Sequence, residues 1–392
     1  MASPRLEINL HKIGRNASSL RTLYGARGVG ITAVTKAVLG DPRVAQVLVD
    51  NGIRAIGDSR IQNIRRMKRA GIQAEFILIR SPVPSETEQV VQYADISLNT
   101  EPAVIRLLSR HAVERGRRHR IILMVELGDL REGIMPSELG EVVADTLDLA
   151  GVELIGLGTN LACYGGVKPT QENMAELSGI AERLRNEYGI ALEVISGGNS
   201  ANYDWFVSTP EVGQINNLRI GESILLGRET LSRERIPGLH TDAFALIAEV
   251  IELKDKPSSA AGPRCQDAFG NTPVFQDRGT VAKAILGIGK QDVDVSGIAA
   301  RIDVEFLGAT SDHLILDAKD TDLRVGSEVA FDVNYSALLR AMTSPHVSKE
   351  YRCASPHVLP DTSTHAAMPK GVARILRTKV HPHPGALLGK EG

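Results

Sequence analysis

Residues 30–59 read GITAVTKAVLGDPRVAQVLVDNGIRAIGDS. A β-rich apolar run at 30–36 is followed by a helix-spaced stretch at 42–51 and a second strand-like run at 54–59, which together make one strand–helix–strand unit of a parallel sheet. The pattern continues outward. Further strands are expected at 74–80, 95–99, 120–127, 153–161, 192–200 and 216–223, with helices at 61–70, 101–115, 138–150 and 171–188 between them. Several of these strands are apolar almost throughout, as burial on both faces requires. Eight such units close a (β/α)8 barrel. An open doubly wound sheet is the competing architecture, but no GxGxxG follows the first strand.

Past Leu239 the character changes. DAFALIAEVIELKD, TVAKAILGIG, ARIDVEFLGATSDHLILDA and SEVAFDVNYSALL alternate and are rich in Val and Ile. The expected organisation is an α/β barrel domain over 1–239 followed by a mostly β domain over 240–353, which the early run LEINL is a candidate to join. Residues 354–392 hold five prolines, four of the ten histidines and no sustained period, and read as a loosely ordered tail. Its HPHPG lacks a third nearby ligand, so no metal site is expected.

With 45 Lys plus Arg against 47 Asp plus Glu, the chain has no basic surplus for nucleic acid. No apolar run approaches the ~18 to 20 residues that span a bilayer, and MASPRLEINLHKIGRN has no secretory core. A cytoplasmic protein without nucleic-acid or membrane partners is expected. Cys163, Cys265 and Cys353 are far apart and form no CxxC, which favours reduced thiols over disulfides or zinc.

Active sites of (β/α)8 barrels sit at the carboxyl ends of the strands. The polar residues at those ends are Lys36, Asp58, Ser59, Arg80, Asn99, Glu126, Asp129, Arg131, Asn160, Asn199, Ser200, Arg219 and Glu222. A lysine in a low-dielectric barrel mouth has its neutral form favoured, as Schiff-base chemistry requires. Position alone leaves open a structural lysine paired with Asp58 or Glu126. SGGNS (196–200) and RIGES (219–223) place small residues, hydroxyls and backbone N–H groups where such barrels bind phosphate. A lysine facing a phosphate cradle points to pyridoxal 5'-phosphate. Arg219 would then keep the pyridine nitrogen unprotonated, which weakens the electron sink and favours proton removal and return over decarboxylation or transamination. Its other reading is an ion pair with Glu222.

The segments TAVTKA around Lys36, GDSRIQN (57–63), MVELGDLREG (124–133), GLGTNLACYG (156–165), ISGGNS (195–200), NLRIGESILLGRET (217–230), DAFGNTP (267–273), GIGKQDVD (287–294) and ATSDHLILD (309–317) occur in one order. In that order the chain, up to about Tyr351, resembles the fold-type III pyridoxal-phosphate enzymes typified by alanine racemase, and within them the ornithine racemase branch. The resemblance implies a homodimer with shared active sites acting on a free amino acid. It makes Lys36 the internal aldimine lysine and one racemisation base, and Arg219 the partner of the pyridine nitrogen. Arg131 matches a residue near the cofactor's phenolic oxygen and the substrate carboxylate. Ser200, the backbone of Gly221 and Glu222, and Tyr335 match phosphate contacts, with Asn199 beside them. Asn160 replaces a ring-contacting histidine. For Tyr335 the alternative is a hydroxyl that satisfies a core backbone group.

Three departures stand out. The resemblance expects a lysine at Met124, a phosphate-binding tyrosine at Gly40, and a catalytic tyrosine at Phe269, which cannot carry a proton. Asp267, Cys265, Lys290 and His313 are the nearby candidates for the opposite-face base, with Asp267 ranked first as a carboxylate whose pKa desolvation would raise. The alternative for Asp267 is a turn aspartate. Asp292 and Asp294 are either loop acids or readers of a cationic side chain. The expected activity is racemisation of ornithine, or next lysine. Basic amino-acid decarboxylation and a non-enzymatic pyridoxal-phosphate homeostasis role are the rivals.

Overall fold

The computed structural model describes residues 3–352. The expected tail, HPHPG included, lies outside the described residues. A strand, β1 (Arg5–Asn9), and a helix (Leu10–Gly25) precede eight strands: β2 (Gly30–Val34), β3 (Ala55–Asp58), β4 (Glu75–Leu78), β5 (Ile96–Asn99), β6 (His119–Met124), β7 (Val152–Gly158), β8 (Val194–Ser196) and β9 (Asn217–Ile220). Each pairs parallel with the next. The ring closes where β9 returns to β2, with Gly30 beside Asn217 and Ala33 beside Ile220.

Local chemistry sets the boundaries. β2 stops two residues short of Lys36 because the chain turns into a 3-10 segment (Lys36–Val38), closed by Leu39 and Gly40 at φ 55° and 59°. Asp41 then caps the helix Pro42–Asp50 by accepting the backbone N–H of Arg43 and Val44, with Pro42 already fixed at a helical φ. The helix Gln171–Tyr188 begins at a reciprocal Thr170–Asn173 cap and ends at a left-handed Gly189. Along the strands, Ile77, Ile96, Leu98, Ile122, Met124 and Ile155 form the barrel's own interior. Their alternates pack outward against the helices in the larger core.

Seven more strands follow: β10 (Phe244–Pro257), β11 (Thr280–Leu286), β12 (Ile298–Ala300), β13 (Glu305–Ala309), β14 (Leu314–Asp317), β15 (Glu328–Val333) and β16 (Ser348–Arg352). They form a mostly antiparallel sheet that β1 enters, antiparallel to β10 and parallel to β16. The long β10 spans it: its first half pairs with β1 and β15, and beyond a bulge after Val250 it pairs with β11. A helix (Tyr335–Thr343) between β15 and β16 packs on the turn Lys36–Val38. Tyr351 of β16 donates its hydroxyl to Asp41 Oδ2 at 2.5 Å while the Arg43 guanidinium lies 4.3 Å from the ring centre. Barrel and sheet therefore make one compact unit. Among the described residues no helix is long and apolar enough to cross a membrane.

β7 and β8 approach most tightly where Gly156 lies opposite Val194, and a Cβ there would overlap the Val194 carbonyl oxygen. Gly156→Ala is expected to lower stability by about 1–3 kcal/mol, the usual cost of overpacking, seen as a lower urea midpoint at unchanged slope.

Candidate active site

The carboxyl ends of the barrel strands surround a cavity of about 500 Å³. Lys36, Arg131, Asn160, Asn199 and Ser200 line it, and so do Arg219, Gly221, Glu222 and Tyr335. Ser59 and Arg80 complete the set of strand-end residues that reach it.

Lys36 is half-buried at the start of its 3-10 turn. Burial pushes its amine below the usual lysine range, and the charge of Arg131 adds to this against the pull of Cys163 and Asp58. Its supposed structural partners are occupied elsewhere. Asp58, fully buried, accepts Thr35 Oγ1 (2.8 Å), Asn63 Nδ2 (3.0 Å) and the Arg60 N–H (3.0 Å). Glu126 accepts the N–H groups of Gly128 and Leu130. Among the described residues neither forms an ion pair with Lys36. Gly40, where the resemblance expects a tyrosine, is left-handed, and a Cβ there would sit 2.7 Å from Asn63 Cβ.

Arg219, on β9, is only 6% exposed. Its Nη1 donates to Ser196 Oγ (2.6 Å) and its Nη2 to the Thr159 carbonyl (2.6 Å) and Asn160 Oδ1 (3.3 Å). All three acceptors are neutral. Burial, with Arg131 nearby, pushes its guanidinium down to about 10. The anticipated alternative, an ion pair with Glu222, does not form: Glu222 is held by Arg233 at 2.5 Å. Asn160 also accepts from Asn199 Nδ2 (3.1 Å), while its own Nδ2 is buried without a partner among the described residues. Asn199 caps the 3-10 turn Ser200–Asn202 through the Ala201 N–H and so sets Ser200, whose Oγ accepts the Ser223 N–H at 3.3 Å. A Cβ on Gly221 would come within 3.1 Å of Val34 Cβ. Tyr335 reaches the cavity from the sheet's helix, half-buried, its hydroxyl pushed up by burial and by the nearby Glu222 carboxylate.

A model of the alanine racemase N-terminal domain matches residues 8–229, more than half of the chain. The chain belongs to the alanine racemase family. It is 42% identical over 354 residues to a lysine racemase of Thermotoga maritima, covering 90% of this chain and 99% of that one. It is 40% identical over 352 residues to an ornithine racemase of Acetoanaerobium sticklandii, covering 88% and 99%. Among solved structures, alanine racemase from Bacillus anthracis with bound L-Ala-P superposes with a TM-score of 0.71 at 16% identity over 90% of this chain and 95% of that one. The alanine racemase of Clostridium difficile 630 gives 0.69 at 17% over 90% and 97%. At such identities the superpositions establish the shared fold.

Other sequence candidates stand apart from the cavity of this racemase-family chain. Asn99 is buried and donates to the Ser97 carbonyl, and Asp129 accepts the N–H groups of Cys163 and Tyr164. Asp267 does not line the cavity within one chain. Fully exposed, it accepts the N–H groups of Asn271 and Phe269, and these hold its carboxyl below the usual range, opposite to the expected rise. It is a turn aspartate in its local geometry. Cys265 is exposed, His313 meets Thr310, and Lys290 lies 4.0 Å from the centre of the Phe269 ring. Asp292 accepts Ser344 Oγ, and Asp294 caps the turn Val295–Gly297, contacts made within their own chain. Glu132, Cys163, Thr230 and Arg233 line the cavity without having been singled out. Glu132 pairs with Arg131 at 2.5 Å, and Arg131 Nη1 donates to Cys163 Sγ at 3.0 Å. Adjacency to Arg131 and a place inside GLGTNLACYG were the available signals for these two.

For a lysine whose folded pKa is lowered, the unfolded chain binds the extra proton between that value and ~10.4, so stability rises with pH across this window. Lys36→Met should therefore stabilise the cofactor-free protein at pH 7, with the gain shrinking towards pH 10. Urea titrations of both proteins at the two pH values would check this.

Proposed function

We propose that the protein interconverts the L and D forms of a basic amino acid, ornithine first and lysine second, with pyridoxal 5'-phosphate as cofactor. That it is an amino-acid racemase follows from its kinship across nearly the full length of two racemases. The observation that carries the cofactor reading is Arg219, a guanidinium deep in the cavity wall that forms no ion pair with a carboxylate among the described residues. A permanent cation there suits an unprotonated ring nitrogen. The Asn160 Nδ2, buried without a partner among the described residues, and the place of Gly221 on the cavity lining suit a flat heteroaromatic ring and its phosphate arm.

When bound, pyridoxal 5'-phosphate supplies an electron sink that acidifies the Cα–H of an attached amino acid. In this reading Lys36 Nζ, biased to its neutral form, would hold the cofactor's aldehyde carbon until the substrate amine displaces it, and would then be free as an amine to move the Cα proton on one face. Arg219 and Asn160 orient the ring, Ser200, Gly221, Glu222 and Tyr335 take the phosphate, and Asn199 positions the first of these. Arg131 holds the substrate carboxylate. Because Arg219 keeps the sink weak, proton exchange is favoured over loss of carbon dioxide.

The assembly proposed is a cytoplasmic homodimer with shared active sites. Phe269, Val274 and Phe275 are exposed in the long connection between β10 and β11, an apolar surface suited to a second copy. The opposite-face proton carrier is a group other than Phe269.

Incubation with pyridoxal 5'-phosphate and L-ornithine in deuterated water should yield D-ornithine carrying one deuterium at Cα, with Lys36→Ala inactive. Chiral chromatography with mass detection reads both. Carbon dioxide release in place of inversion, or exchange that survives loss of Lys36, would refute the reading.

A further inference from the structure

Thr230 and Arg233 are among the cavity groups that have no part in the scheme above. They line the wall shared with Glu222 and Tyr335, and both belong to the loop that follows the short helix Glu222–Leu226. Glu229, 3% exposed, holds this loop from within. Its carboxylate accepts the backbone N–H groups of Leu231 (2.6 Å), Ser232 (3.0 Å) and Glu234 (2.7 Å). Wrapped around that hub, Arg233 takes a φ of 64°, a conformation that non-glycine residues keep only where the surroundings impose it. Its Nη1 donates to Glu222 Oε1 at 2.5 Å. Thr230 Oγ1 is buried and has no hydrogen-bond partner among the described residues. A buried hydroxyl left unpaired on a cavity wall lacks one ligand.

The charges at this wall decide what that ligand is. A phosphate monoester carries about −1.5 to −2 at neutral pH, and the proposed cradle contains the Glu222 carboxylate. Burial pushes the Glu222 carboxyl up, and Arg233 draws it back down. Without a cation the carboxylate and the phosphate would repel each other across a partly dehydrated space. Lys36, Arg131 and Arg219 have roles elsewhere in the scheme, Arg80 lies beside Glu86 and Arg131 beside Glu132, and Arg233 is the cation in contact with Glu222, at 2.5 Å.

We infer that loop 229–234 is a phosphate clamp, in which Arg233 is the counter-ion of the cofactor's phosphate and Thr230 Oγ1 donates to it. The guanidinium fork has five N–H donors, so one can stay on Glu222 while others reach the anion. The Glu229 hub keeps the loop in place before the ligand arrives, which lowers the ordering cost of binding. The clamp rests on the cofactor reading for the identity of its ligand, but not for its preference for phosphate.

The test uses the full chain freed of cofactor. Pyridoxal 5'-phosphate and pyridoxal, which lacks the phosphate, are titrated by absorbance, and stabilisation by inorganic phosphate is read from the melting temperature. Arg233→Ala should weaken pyridoxal 5'-phosphate about tenfold or more while pyridoxal changes less than about twofold. It should also abolish stabilisation by inorganic phosphate. Arg233→Lys should retain part of both effects, and Glu222→Gln in the Arg233→Ala background should recover part of the affinity. Equal weakening of both vitamers, or unchanged stabilisation by inorganic phosphate in Arg233→Ala, overturns the clamp. If wild type binds neither vitamer yet inorganic phosphate stabilises it and not Arg233→Ala, the clamp stands and the cofactor reading falls.

Discussion

Taking an unpaired ion out of water costs several kcal/mol, and the barrel of this protein does so with Arg219. The cost is offset by dipoles supplied from neighbouring strand ends: the Ser196 hydroxyl at the end of β8, and the Thr159 carbonyl and the Asn160 carboxamide just beyond β7. These groups meet because β7, β8 and β9 are consecutive staves of a closed barrel. Once Asn160 gives its oxygen to Arg219 and Asn199, its amide nitrogen is left without a partner. Asn199, tied to that same oxygen, in turn fixes the turn that carries Ser200. Much of the cavity's geometry is thus a response to one cation that pairs with no carboxylate among the described residues.

The second cation, Lys36, is governed by what its neighbours refuse it. Asp58 and Glu126 lie close in sequence terms to the barrel mouth and could have neutralised an ammonium. Both instead saturate backbone and side-chain donors of their own loops. Carboxylates spent on loop architecture leave the amine to respond to burial and to Arg131, and both drive it towards its neutral form.

The barrel was legible because strand and helix periods differ and because a parallel strand buried on both faces is apolar almost throughout. All eight strands and the five expected helices lie where the pattern placed them, with most ends a few residues shorter, while the helices Leu10–Gly25 and Thr87–Tyr93 were not anticipated. Strand ends blurred for a physical reason: Arg80 follows an apolar run directly and Lys36 is separated from one by Thr35 alone, and nothing in composition marks the residue where a ladder stops. Side chains brought together by turns were harder to see. Arg233 reaches the cavity through a left-handed backbone and a buried glutamate, neither of which leaves a periodic trace. Within one chain Asp267 departs from expectation only in its ionisation. A carboxylate in a turn-prone stretch satisfied its neighbours' N–H groups, and its environment holds its pKa down where desolvation would have raised it.

The place of β1 bears on how the chain acquires its shape. Its five residues lie between β10, more than 230 positions downstream, and β16, which pairs Arg5 with Ser348. Contacts of such separation are slow to form, since a long loop must close before they are gained. During synthesis the first strand emerges well before either of its neighbours exists, and it must remain unpaired while the whole barrel is made. The sheet, and with it the helix that brings Tyr335 to the barrel mouth, is completed only when the far end of the chain returns to the near one. The barrel's folding is ordered by neighbouring units, but the finished cavity waits for β1 to meet β10 and β16.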